Sequence, residues 1–162
     1  MLSLNQDKEP SMKISWHEYF INIAKEVAKK SKDPSSQVGC VIVTNDNRPV
    51  SFGYNGFVSG CDEGHMTFER PLKYNLIIHA EMNALLFSQK ALKDCKAYVT
   101  HAPCDNCLKH LMQAGITEIY YNDPGILKNR GTPEQKEAIR RLLTSKSMIC
   151  QNINGTQYLD EI

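Results

Sequence analysis

The sequence has no apolar run approaching the roughly 18 to 20 residues of a membrane span, which excludes a transmembrane helix. It also lacks an excess of charge of either sign, since 19 Lys and Arg stand against 18 Asp and Glu. A near-neutral chain has no general field for capturing a polyanion such as duplex DNA or tRNA, so no nucleic-acid partner is expected. The opening "MLSLNQDKEP" has no basic stretch followed by an apolar one, so no secretory signal is read there and a cytoplasmic location is expected. Repeats, low-complexity tracts and linkers are missing too, and 162 residues is about the size of one ordinary domain. We therefore expect one domain over 1–162, with 1–12 a polar, loosely ordered N-terminus. Cysteine is not scarce: there are six. In a reducing compartment thiols serve as core residues, metal ligands or catalytic groups rather than disulfide partners, so no structural disulfide is expected.

The hydrophobic pattern gives the elements. In "ISWHEYFINIAKEVAKKSKD", Trp16, Phe20, Ile23, Ala24 and Val27 recur at helical spacing, with Ser15 as N-cap and Pro34 as the stop. "QVGCVIVTNDNRPVSFGYNG" reads as a hairpin turning at Asn45 to Asn47. "FVSGCDEGHMTFERPLKYN" has no usable period and is expected to be an ordered loop or insertion. Next come "HAEMNALLFSQKAL" as helix, "KAYVT" as strand, "CDNCLKHLMQAG" as helix and "ITEIYYN" as strand. "TPEQKEAIRRLLTSK" predicts a last helix with Thr132 as cap, Pro133 at the first helical position, and Ala138, Ile139 and Leu142 facing inward. "SMICQNI" supplies a fifth strand. Helices alternating with strands imply an α/β fold with a mixed or parallel sheet of about five strands covered by helices.

"HAPCDNC" stands where a strand ends and a helix begins. A Cys-x-x-Cys can be a redox pair, half of a structural zinc knuckle, or part of a catalytic metal site. On the first turn of a helix, free backbone N–H groups and the positive end of the dipole favour thiolates, so Cys104 and Cys107 are prepared to grip one ion. "HAE" opens the preceding helix and offers His79 as a third ligand. Two sulfurs and an imidazole leave the fourth tetrahedral position for water, the arrangement of a catalytic zinc. Glu81, two positions from His79, can then serve as proton shuttle without binding the metal. A redox pair leaves the upstream His-Ala-Glu unused. A closed knuckle needs a fourth ligand, and His101 and His110 read as ordinary polar or packing residues.

His-x-Glu followed by Pro-Cys-x-x-Cys is the signature of zinc-dependent nucleobase deaminases. Beyond it, "KKSKDPSSQVGCVIV", "SFGYNGFVSGC", "LKYNLIIHAEMNAL" and "AYVTHAPCDNCLKHLMQAGITEIYY" resemble, in that order, the deoxycytidylate (dCMP) deaminase family from about Lys29 to Tyr121. The resemblance implies a three-layer α/β/α cytidine-deaminase-like fold and one Zn2+ per chain on His79, Cys104 and Cys107. It also implies hydrolysis of dCMP to dUMP for thymidylate synthesis, with Glu81 moving the protons. It further implies that Asn55, Ala80 and Tyr120 border the nucleotide, that the chain assembles as a homohexamer, and that dCTP and dTTP act as effectors. The chain departs from the family's usual proline after "GYNGF", carrying Val58, Ser59, Gly60 and Cys61 there, in the region that binds effectors in relatives. Cys61 and His65 are only two ligands, so no second zinc is expected. The alternatives are a deaminase of a free nucleoside or of tRNA adenosine, and a structural-zinc binding module without catalysis. Lys30 and Lys32 read as solvated charges at a helix end.

Overall fold

The computed structural model describes residues 13–125, 127 and 131–162; the expectation for 1–12 lies outside them. Among the described residues the elements run α1 (Trp16–Ala28), β1 (Gly39–Val43), β2 (Pro49–Tyr54), a 3-10 turn (Glu63–His65), α2 (Lys73–Leu76), α3 (Ala80–Leu86) and β3 (Lys96–His101). They continue through α4 (Asp105–Gln113), β4 (Glu118–Asp123), α5 (Pro133–Ser145), β5 (Ile149–Asn152) and α6 (Tyr158–Glu161). No helix among them is long and apolar enough to cross a membrane.

The strands form one mixed sheet in the order β2-β1-β3-β4-β5. β1 runs antiparallel to both β2 and β3, whereas β3, β4 and β5 run parallel. Every residue of β1 is buried, as expected for a strand with neighbours on both edges and helices on both faces. Side chains alternate between faces with the pleat. Val41, Val43, Tyr98 and Tyr120 pack with Phe20, Ile21 and Ala24 of α1 on one side. Cys40, Ile42, Val99, Ile119 and Tyr121 pack on the other with Ala80 and Ala84 of α3, Leu108 and Leu111 of α4, and Ile139 of α5. This is the expected three-layer α/β/α arrangement.

Two helix ends fall short of the reading of the sequence. The Ser15 hydroxyl caps α1 by accepting from the Glu18 N–H, but α1 ends at Ala28, well short of Pro34. There the N–H groups of Lys29, Lys30 and Ser31 bond to the carbonyls three residues back, winding the chain out of the helix. Its buried face is Phe20, Ile21, Ala24 and Ala28, and Trp16 is 56% exposed. Next, α3 stops at Leu86, leaving Leu86 and Phe87 on the surface. In α5 the capping box of Thr132 and Gln135 and the N-terminal proline are present, with Ile139 buried and Ala138 and Leu142 half-buried. Turn formation at Asn45–Asn47 matches expectation, with Asn47 at φ 67°. The aperiodic segment after β2 is ordered by the 3-10 turn and α2, and α6 had no visible signal.

Candidate active site

Glycine places the helix that carries His79. A Cβ at Gly53 of β2 would lie 2.2 Å from the Ala80 carbonyl oxygen and 2.4 Å from the Ala84 nitrogen, so α3 rests directly on the β2 backbone. His79 is the N-cap of α3, and Cys104 the N-cap of α4. Both helices pack on the same face of the sheet, so the two N-termini meet. His79 Nδ1 lies 3.3 Å from Cys107 Sγ and 3.6 Å from Cys104 Sγ. The Cys107 N–H donates to Cys104 Sγ over 3.4 Å. One donor atom from each of His79, Cys104 and Cys107 lies within 4.8 Å of the others, the one such group of three among the described residues. Cys61 and His65 find no third donor there.

This donor set fits zinc. Ligands at about 2.0–2.3 Å around a tetrahedral ion are about 3.5 Å apart, close to the separations seen here. The Cys104 thiol is held down to about 4, first by the Cys107 thiol and then, against the cost of burial, by His79. The Cys107 thiol is pushed up, chiefly by facing the Cys104 sulfur. The Cys104 contact raises His79 to about 8 against its own burial. Glu81, on the first turn of α3, is 4% exposed and has its carboxyl raised to about 7 by burial, with the His79 charge opposing. Cys40, Cys95 and Cys150 are buried and all six cysteines are free, so no disulfide joins them.

The other expected contacts are placed unevenly. Ala80 is fully buried between His79 and Glu81. Asn55 is 6% exposed and its amide is engaged by protein: Oδ1 accepts from the Val38 N–H at 2.8 Å, and Nδ2 donates to the Ser36 carbonyl at 2.8 Å and to Asp33 at 3.3 Å. Tyr120 is not brought to the site. The pleat turns it to the α1 face, where it stacks on His17 and Tyr98 and donates to Glu118, whereas the metal donors lie on the other face. Its register relative to Ile119 and Tyr121, which point toward α3 and α4, was the signal that separated them.

Two supports were missed in the sequence. Lys73 of α2 and Asp33 form a buried ion pair at 2.7 Å, with side chains 6% and 1% exposed. Lys73 also donates to Ser35, and Asp33 accepts from the Ser35 N–H and hydroxyl and from Asn55. This network fixes the loop between α1 and β1 against the segment leading into His79. In addition, the Tyr158 hydroxyl donates to the Pro103 carbonyl, next to Cys104. Loop residues Ser31 and Gln37 join Thr100, His101 and Asn122 around a cavity of about 550 Å3 at the strand ends beside the cysteine loop.

Comparison with known proteins agrees with this geometry. Residues 14–123 match the cytidine and deoxycytidylate deaminase zinc-binding region. An uncharacterized deaminase encoded in the luxG 3' region of Aliivibrio fischeri is 46% identical over 105 residues, covering 65% of this chain and 71% of that protein. Deoxycytidylate deaminase of Mus musculus is 41% identical over 115 residues, and that of Homo sapiens 39%; each alignment covers 67% of this chain. The chain spans 65% of the length of those two enzymes. In fold, it superposes on the apo dCMP deaminase of cyanophage S-TIM5 with a TM-score of 0.66 at 23% identity, over 88% of this chain and 100% of that one. The match over 14–123, which includes His79, Glu81, Cys104 and Cys107, shows that the chain belongs to the cytidine and deoxycytidylate deaminase zinc-binding family.

Proposed function

We propose that this protein hydrolyses dCMP to dUMP and ammonia, supplying dUMP for thymidylate synthesis. The observation that carries the reading is the meeting of His79 Nδ1 with two cysteine sulfurs beside the buried Glu81 carboxyl, in a chain whose relatives include deoxycytidylate deaminases. Zinc, when bound, supplies a Lewis acid that brings the pKa of a coordinated water near neutrality. His79, Cys104 and Cys107 would hold it. Glu81 takes one proton from water and delivers it to the ring nitrogen as the oxygen adds to the amine-bearing carbon, then carries the second, from that hydroxyl, to the amine as the C–N bond breaks and ammonia leaves.

Asn55 and Ala80 border the nucleotide in this reading. Asn55 Oδ1 uses one lone pair on the Val38 N–H and keeps a second for a sugar hydroxyl. The finer assignments belong to the same proposal: a cytoplasmic homohexamer, with dCTP and dTTP as effectors. Exposed Phe52, Tyr54, Leu86 and Phe87, on β2 and the end of α3 packed against it, support assembly. A second cavity, of about 270 Å3, is lined by Lys30, by Lys32 paired to Glu63, and by Val58 to Cys61, and is where an effector would bind in this reading.

The test supplies dCMP to purified protein whose zinc has been quantified and follows dUMP and ammonia together. Equal yields of both are expected, with dCTP and dTTP changing the rate in opposite directions. Absence of both products, with about one zinc per chain, would contradict the reading and favour a nucleic-acid deaminase or a structural-zinc module.

A further inference from the structure

Tyr158 lies outside the region that matches the family, yet it reaches the metal loop. It opens α6 and is fully buried, its ring set against Tyr121 at 5.3 Å between centroids and 61° between planes. Its O–H donates to the Pro103 carbonyl over 2.7 Å, a buried bond joining residues 55 apart in sequence. Pro103 immediately precedes Cys104, whose extended backbone (φ −70°, ψ 171°) turns the sulfur toward His79 and the Cys107 N–H. The orientation of the Pro103–Cys104 peptide plane therefore sets where Cys104 Sγ sits. α6 is itself tied down, since the Tyr121 hydroxyl donates to Glu161 at 2.5 Å and Gln157 bridges to Gln151 of β5.

We propose that Tyr158 is a positioning residue for the metal site: its hydroxyl holds the Pro103 carbonyl so that Cys104 is aimed at the ion. The inference rests on the reading of His79, Cys104 and Cys107 as zinc ligands. Groups that orient a metal ligand from behind it typically account for about 10- to 100-fold in metal affinity. A tyrosine that only filled the core would contribute to folding and leave metal affinity untouched.

Tyr158→Phe removes the hydroxyl and keeps the ring. Zinc affinity, measured by chelator competition well below the melting temperature, is expected to fall about tenfold. The thiolate-to-cobalt absorption band of Co2+-loaded protein is expected to shift. Leu159→Ala, on the same short helix and leaving the hydroxyl in place, is expected to bind zinc as the wild type does. Glu161→Ala, which unties α6 from Tyr121, is expected to weaken zinc binding measurably but less than Tyr158→Phe, the loss of part of that positioning. Wild-type zinc affinity and cobalt spectrum in a folded Tyr158→Phe protein, even with a lowered Tm, would overturn the proposal. If Tyr158→Phe does not fold, unchanged affinity in Glu161→Ala would overturn it instead. A wild-type protein that binds no zinc would overturn the ligand assignment itself, a different result from either.

Discussion

Glu81 is a carboxyl with almost no access to solvent, placed within one helical turn of a metal-donor histidine. Such a group is costly to bury in its charged form unless it takes up a proton or is paired. Glu81→Gln keeps the shape and removes the proton carrier, so zinc content and folding are expected to stay at wild-type levels. Turnover is expected to fall by about a thousandfold, measured as initial rate on dCMP alongside zinc per chain. Asp33 shows the other way of tolerating burial. Desolvation pushes its carboxyl up, but the bonds from Lys73 and Ser35 outweigh this and hold it below the ordinary carboxylate value. A depressed folded pKa means that the stabilisation is present above the unfolded value of about 4 and is lost as pH falls through the folded one. Asp33→Asn leaves the Lys73 cation buried without its partner, a loss of about 3 kcal/mol at neutral pH. The difference in urea midpoint between wild type and variant is expected to shrink as pH drops from 7 toward 3, because protonated Asp33 comes to resemble asparagine. A difference independent of pH would show that the pair contributes nothing through charge.

At the scale of elements, the site exists because two helix N-termini are brought to one face of the sheet. Gly53 is the contact that lets α3 sit close enough. In Gly53→Ala the new methyl meets the Ala80 and Ala84 backbone, which cannot swing away as a side-chain end can. The variant is expected to lose at least about 2 kcal/mol in denaturant unfolding and to bind zinc more weakly, because His79 moves with α3. The metal constellation was legible in the sequence because its chemistry is local: His79 with Glu81, and Cys104 with Cys107, each pair lie within one helical turn. The sheet was legible because its strands carry β-branched or aromatic runs bounded by turn residues. The C-terminal ends of α1 and α3 were not, because tertiary contacts and unwinding turns decided them, at Ala28 and Leu86. Strand alternation separates Tyr120 from Ile119 and Tyr121 but does not say which face meets α1, and spacing could not show that Lys73 meets Asp33 or that Tyr158 meets Pro103, contacts made only when distant segments fold together.

For the whole molecule, the parts agree: a mixed sheet with helices on both faces, a zinc-type donor set at two helix N-termini, a buried carboxyl beside it, and a cavity at the adjoining strand ends. That cavity is lined by Lys25, Lys29, His101 and Asp123 together with Ser31, Gln37, Thr100 and Asn122, a polar wall of mixed charge. The donor set and Glu81 carry the chemistry of the proposed deamination. The most direct measurement is the loss of cytosine absorbance when the zinc-quantified protein is given dCMP, deoxycytidine and CMP in separate reactions. The account predicts turnover of dCMP with kcat/KM at least about a hundredfold above the other two, because both the phosphate and the deoxyribose are recognised. Equal turnover of deoxycytidine, or none of dCMP with zinc bound, would contradict it.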